Sequence, residues 1–184
     1  MAHYLADKGL GFQDHYSIFM ENNNRYLESC AAGERSGLYF TCINSFLTSD
    51  ELAYIINNSE SQILITSMSK LEAAQEALAQ CTAIKEVLVV GAGDADLPEG
   101  MSDFASTLSK YPETPLEREL LGAAMLYSSG TTGRPKGIVR PLPEQSPNEP
   151  LPVIGFLSGL WRYREDMIYL SPAPLYHSAP QAAV

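Results

Sequence analysis

Residues 62–90 read QILITSMSKLEAAQEALAQCTAIKEVLVV, and this stretch decides the fold class. Residues 62–66 and 86–90 are short, nearly all-apolar runs, as strands covered on both faces should be. Between them, LEAAQEALAQ sets Leu71, Ala74 and Leu78 on one face at helical spacing. Ser69, with Glu72 three residues on, has the form of a capping box. A strand, a helix and another buried strand in this order predict two parallel strands joined by a right-handed helical crossover.

The alternation continues on both sides. Residues 16–20 (YSIFM) read as a strand, 22–32 as a helix stopping at Gly33, and 38–43 as a strand. Thr48 and Glu51 form a second capping box, opening a helix to about Asn57. Downstream, 91–100 is a loop, 102–109 a short helical piece, and 123–127 a strand that runs into a glycine-rich stretch. Residues 136–140 suggest another short strand. Proline-dense 141–152 predicts an exposed, extended connection, followed by a helix over about 153–161 and a strand over 167–171. The expected fold is α/β, a parallel-rich sheet flanked by helices.

Bulk composition supports a packed core and narrows the partners. Hydrophobic residues make up 45% of the 184 and charged residues 18%, with net charge −10 and a pI near 4.7. So acidic a surface repels nucleic acid, and the scattered Lys and Arg form no basic patch, so no nucleic-acid partner is expected. Cys30, Cys42 and Cys81 lack CxxC or zinc-ligand spacing and are expected to be buried, reduced thiols. MAHYLADKGLG has no long apolar run, and no stretch approaches the ~18 apolar residues of a membrane span. The expected location is cytoplasmic. Asp94, Asp96 and Glu99 read as a solvated acidic loop, Tyr176 and Trp161 as core aromatics, and His3 and His15 have no evident partner.

Residues 128–137, SSGTTGRPKG, carry the chemistry. Gly130 and Gly133 allow close backbone approach to a ligand, and successive amides in such a turn make an anion-binding nest. Ser128, Ser129, Thr131 and Thr132 add hydroxyls as donors to phosphate oxygens, or as an oxygen ligand for Mg²⁺. Lys136 supplies a point charge for a terminal phosphate, Arg134 a second cation, and Pro135 stiffens the approach. The order is not that of a Walker A motif, because Lys136 is followed by Gly137.

YSSGTTGRPKG resembles the diagnostic motif of the adenylate-forming superfamily: acyl-CoA synthetases, aryl-CoA ligases, luciferases and peptide-synthetase adenylation domains. Residues 43–67 and SPAPLYHSAP (171–180) are similar to further segments of the same family, so nearly the whole chain can be laid on the N-terminal part of such an enzyme. The resemblance implies that Ser128, Ser129, Gly130, Thr131, Thr132, Gly133, Lys136 and Gly137 hold the phosphates of ATP, and that His177 borders the acid pocket. It implies ATP, Mg²⁺ and CoA as cofactors and a fatty or other hydrophobic acid as substrate, converted to acyl-AMP and then acyl-CoA. Family enzymes are well over twice as long. The chain is therefore expected to be an incomplete N-terminal AMP-binding domain (1–184) that needs the missing C-terminal half and is inactive alone, with an exposed sheet edge and an uncovered apolar face. An aryl-CoA ligase fragment, and a non-catalytic short protein that binds nucleotide phosphate or a partner chain, remain the alternatives.

Overall fold

The computed structural model describes residues 1–128, 134–149 and 151–182. Ser129, Gly130, Thr131, Thr132 and Gly133 lie outside the described residues. Among those described, β1 (His15–Phe19), β2 (Tyr39–Cys42), β3 (Ile63–Ser67), β4 (Glu86–Val90), β5 (Met101–Asp103), β6 (Ala123–Ser128) and β7 (Lys136–Ile138) form one sheet. Their order is β5-β4-β3-β1-β2-β6-β7. Every pairing from β5 to β6 is parallel, whereas β7 runs antiparallel to β6, setting Ser128 opposite Lys136 and Tyr127 opposite Gly137.

The helices are α1 (Ala2–Asp7), α2 (Asn24–Glu34), α3 (Ser49–Asn58), α4 (Leu71–Leu78), α5 (Phe104–Leu108), α6 (Pro152–Trp161) and α7 (Ser178–Ala182). The chain steps from β1 to β2 in one direction and from β2 through β3 to β4 in the other. Right-handed crossovers therefore carry α2 and the α3–α4 pair to opposite faces. Strand alternation feeds both layers. Tyr16, Ile18, Phe40, Ile63, Ile65 and Leu88 pack with residues of α1, α2 and α5. Phe19, Leu64, Val87 and Val89 pack with residues of α3 and α4 on the other face. Fully burying each such side chain contributes about 1.5–3 kcal/mol, and this two-sided burial holds the parallel sheet together.

Several expectations need correction. The Thr48–Glu51 capping box is present, but α4 has no side-chain cap; a 3₁₀ turn over Met68–Lys70 precedes it, and Ser69 Oγ donates to Glu21 instead at 2.6 Å. A tertiary carboxylate has outcompeted the local box. Helix α2 runs through Gly33 to Glu34, with Asn23 as its cap. Gly33 is there for close packing, since a Cβ would lie 2.5 Å from Tyr16 Oη and 2.8 Å from Phe40. Residues 167–171 form no strand and α1 was unforeseen, while Asp103 both ends β5 and caps α5. Cys30 and Cys42 are buried free thiols, but Cys81 is only half-buried. His3 does have a partner, the Thr114 carbonyl at 2.8 Å, and the His15 ring stacks on Tyr39. Trp161 is not core; it is 42% exposed. Asp94, Asp96 and Glu99 are exposed, as expected.

Helix α6 buries none of its residues, and Ile168 and Leu170 beyond it are 97% and 82% exposed. Exposed large apolar side chains in such number promote association. The chain is expected to self-associate at raised concentration, and Ile168→Ser with Leu170→Ser to reduce that association without lowering the melting temperature. Sedimentation velocity checks the first and a thermal melt the second; an unchanged sedimentation profile in the double variant would remove this patch as the cause.

Candidate phosphate-binding site

The described part of the loop is its two feet. Ser128 ends β6 and Lys136 opens β7, both exposed and opposite each other in the ladder. Gly137 faces Tyr127, and a Cβ there would lie 2.5 Å from Met125 Cε and 3.1 Å from the tyrosine ring. The absence of a side chain lets β7 lie flat over these two residues.

Helix α3 clamps both feet. Tyr127 Oη donates to Asn58 Oδ1 at 2.7 Å on the β6 side, and Tyr54 Oη donates to the Pro135 carbonyl at 3.1 Å on the β7 side. Tyr54 and Asn58 are four residues apart, so they share one face of the helix. Arg134 lies over the Tyr54 ring, its guanidinium carbon 5.2 Å from the centroid. Burial, reinforced by the neighbouring Tyr54 phenol, raises the Tyr127 pKa well above its ordinary value, so its hydroxyl stays protonated and able to donate. The prediction for Tyr54→Phe is a loss of about 1 kcal/mol of stability from this one bond, with faster amide exchange at Lys136 and Gly137. Hydrogen-exchange mass spectrometry tests the clamp, and unaltered exchange there would show that the bond does not hold the segment.

Lys136 and Arg134 form no ion pair with a carboxylate among the described residues. Two unneutralised cations beside a segment rich in hydroxyls suit a polyphosphate better than a neutral ligand. They stand at the carboxyl end of β6, the edge where open α/β sheets hold their ligands.

His177 lies on a separate segment fastened to the same edge. Asn22, just beyond β1, donates from Nδ2 to the Ala173 carbonyl and accepts at Oδ1 from the Leu175 amide, each at 2.9 Å. Leu175 is buried in the α2-side core. The His177 imidazole is exposed, with its ring 4.5 Å from that of Tyr176. Beside this segment, Leu157, Trp161, Tyr163, Met167 and Tyr169 line an apolar cavity of about 690 Å³. The fold thus brings the loop feet and the His177 segment to one edge of the sheet, with β2 between their strands. Among the described residues, no hydrogen bond or ring contact joins His177 to Ser128, Lys136 or Gly137.

Sequence reasoning missed Tyr54, Asn58 and Asn22. The run Asn22-Asn23-Asn24 was a usable signal, because Asn23 caps α2 and leaves Asn22 free to hold another segment. Tyr54 and Asn58 sit at helical spacing, but nothing local says which strand they meet.

The fold and site define an open α/β protein with candidate anion-binding groups at the carboxyl edge of its sheet. The chain belongs to the AMP-binding enzyme family, which it matches over residues 1–184. It is 29% identical over 145 residues, 76% of the chain, to a 3-methylmercaptopropionyl-CoA ligase of Ruegeria lacuscaerulensis, covering 27% of that protein. It is 28% identical over 135 residues, 73% of the chain, to a long-chain-fatty-acid–CoA ligase of Thermus thermophilus, covering 24% of it. A crystal structure assigned as a long-chain-fatty-acid CoA ligase from Rhodopseudomonas palustris superposes with a TM-score of 0.78 at 20% identity, over 99% of this chain and 44% of the other. That likeness establishes the fold. The chain spans about a quarter of the length of these curated relatives. No helix among the described residues is long and apolar enough to cross a membrane.

Proposed function

We propose that these 184 residues form the N-terminal part of an enzyme that activates a carboxylic acid with ATP and Mg²⁺ and passes the acyl group to CoA. The match to AMP-binding enzymes along the whole chain carries this reading, and the exposed cations at the loop feet, in no ion pair among the described residues, agree with it. In the first step a carboxylate oxygen bonds to the α-phosphorus of ATP and pyrophosphate leaves. In the second the CoA thiol takes the acyl carbon and AMP leaves.

Within that reaction Ser128, Lys136 and Gly137, with Ser129, Gly130, Thr131, Thr132 and Gly133 between them, hold the β- and γ-phosphates, and Thr131 or Thr132 serves Mg²⁺. Lys136 offsets charge on the departing pyrophosphate. Tyr54 and Asn58 position the loop without touching substrate. His177 borders the acid. The substrate is a fatty or other hydrophobic acid, supported by the apolar cavity beside the His177 segment and by the long-chain substrate in one relative's name.

The test is pyrophosphate release and acyl-CoA formation with ATP, Mg²⁺, CoA and a panel of aliphatic and aromatic acids. A protein extended to the relatives' length is expected to form acyl-CoA from medium- or long-chain acids. The 184-residue polypeptide is expected to release no pyrophosphate. Release by the short polypeptide would overturn the assignment of the remaining groups to further chain; a preference for aromatic acids would overturn the substrate class.

A further inference from the structure

Cys30 on α2 and Cys42 at the end of β2 face each other inside the same core, Sγ to Sγ 3.8 Å apart, and both are buried free thiols. Cys81 packs on the opposite face of the sheet, in the α3–α4 core, with its Sγ 3.3 Å from the Ala77 carbonyl. The sheet separates it from the other two. We propose that Cys30 and Cys42 are an oxidisable dithiol, a modification site that closes to an intramolecular disulfide joining α2 to β2.

A disulfide needs its sulfurs about 2.05 Å apart, so closure requires an approach of about 1.8 Å, within reach of small side-chain rotations. The co-reactant is a peroxide. One thiol sulfur attacks a peroxide oxygen, breaking the O–O bond, giving a sulfenic acid and one water. The second thiol then attacks the sulfenic sulfur, the S–S bond forms, and a second water leaves. Two thiols are oxidised by two electrons and one peroxide is reduced. Hydrogen bonding to Cys42, followed by burial, pushes the Cys30 thiol up from its ordinary pKa, so the reaction is slow compared with that of an exposed thiol. Leu175, two residues before His177, belongs to the same buried cluster, so the new bond would stiffen a core to which the His177 segment also contributes.

The experiment treats the native chain with hydrogen peroxide, blocks remaining thiols with N-ethylmaleimide in denaturant, and maps tryptic peptides without reduction. Cleavage after Arg35 separates the two cysteines. The expected product is one linked peptide pair carrying Cys30 and Cys42, lighter by two hydrogens than the sum of the thiol peptides and released by dithiothreitol. Cys81→Ser is expected to leave that link intact. Cys42→Ala is expected to abolish it and leave a sulfenic acid at Cys30 that dimedone traps. In guanidinium the same oxidant should scatter links among all three cysteines. Recovery of Cys30 and Cys42 as alkylated thiols, as unlinked sulfinic acids, or linked to Cys81 from the native chain would each overturn the proposal.

Discussion

Gly122→Ala is expected to cost about 3 kcal/mol or more and to detach β6 from the sheet. The backbone of Gly122 runs against the end of α2 and the start of β2. Its amide donates to the Glu34 carbonyl at 2.9 Å, and the next amide donates to the Leu38 carbonyl at 3.1 Å. A Cβ at 122 would overlap the Gly33 carbonyl oxygen and lie 2.5 Å from that of Leu38. These are backbone atoms of the last turn of α2 and of the residue just before β2, so no rotamer change relieves the overlap. Either β6 moves away or α2 and β2 separate. Urea unfolding measures the loss, and hydrogen exchange at Ala123–Ser128 locates it. Gly155→Ala is the control: nothing lies within 4 Å of its Cβ position in the middle of α6. There alanine should be neutral, or stabilise by about 0.5–1 kcal/mol through helix propensity. Equal effects at the two positions would show that the close approach at Gly122 has no energetic weight.

The second large effect is on the proposed activity. Lys136→Ala, in a protein of the relatives' length, is expected to slow pyrophosphate formation by about 10²-fold, the scale seen when one preorganised electrostatic contact to a developing charge is removed. Stability should not change, because Lys136 is exposed and has no ion-pair partner among the described residues. Lys136→Arg keeps the charge but presents a planar fork in place of a compact ammonium, so partial activity is expected. ATP–pyrophosphate exchange at saturating acid measures the step. A wild-type rate in the alanine variant would take Lys136 out of the phosphate site.

Where burial dominates, the sequence was easy to read. The apolar runs at Tyr39–Cys42, Ile63–Ser67 and Glu86–Val90 became central parallel strands, because only a two-sided cover can hide such runs. Where surface polar groups decide, local patterns competed with partners distant in the chain. Ser69 has the spacing of a helix cap yet donates to Glu21, 48 residues away. Gly33 has the look of a helix stop, yet it leaves room for Tyr16 and Phe40. The 167–171 segment has the composition of a strand but pairs with none among the described residues, since hydropathy by itself supplies no neighbouring ladder.

The loop identified its family in one dimension because phosphate contacts come from consecutive backbone amides and short side chains, so their spacing is already chemical information. By itself the sequence determined the α/β class, the parallel strands and the residues 128–137 as the candidate phosphate segment. Only the tertiary structure decided what holds that segment, namely Tyr54 and Asn58 of α3 on its two feet. It alone also brought the His177 segment to the same edge through Asn22, and set Cys30 against Cys42. The reason is physical: periodicity reports which face of an element is buried and that a crossover joins two strands, whereas a contact between two elements depends on which strands become neighbours, and the local pattern does not specify that order.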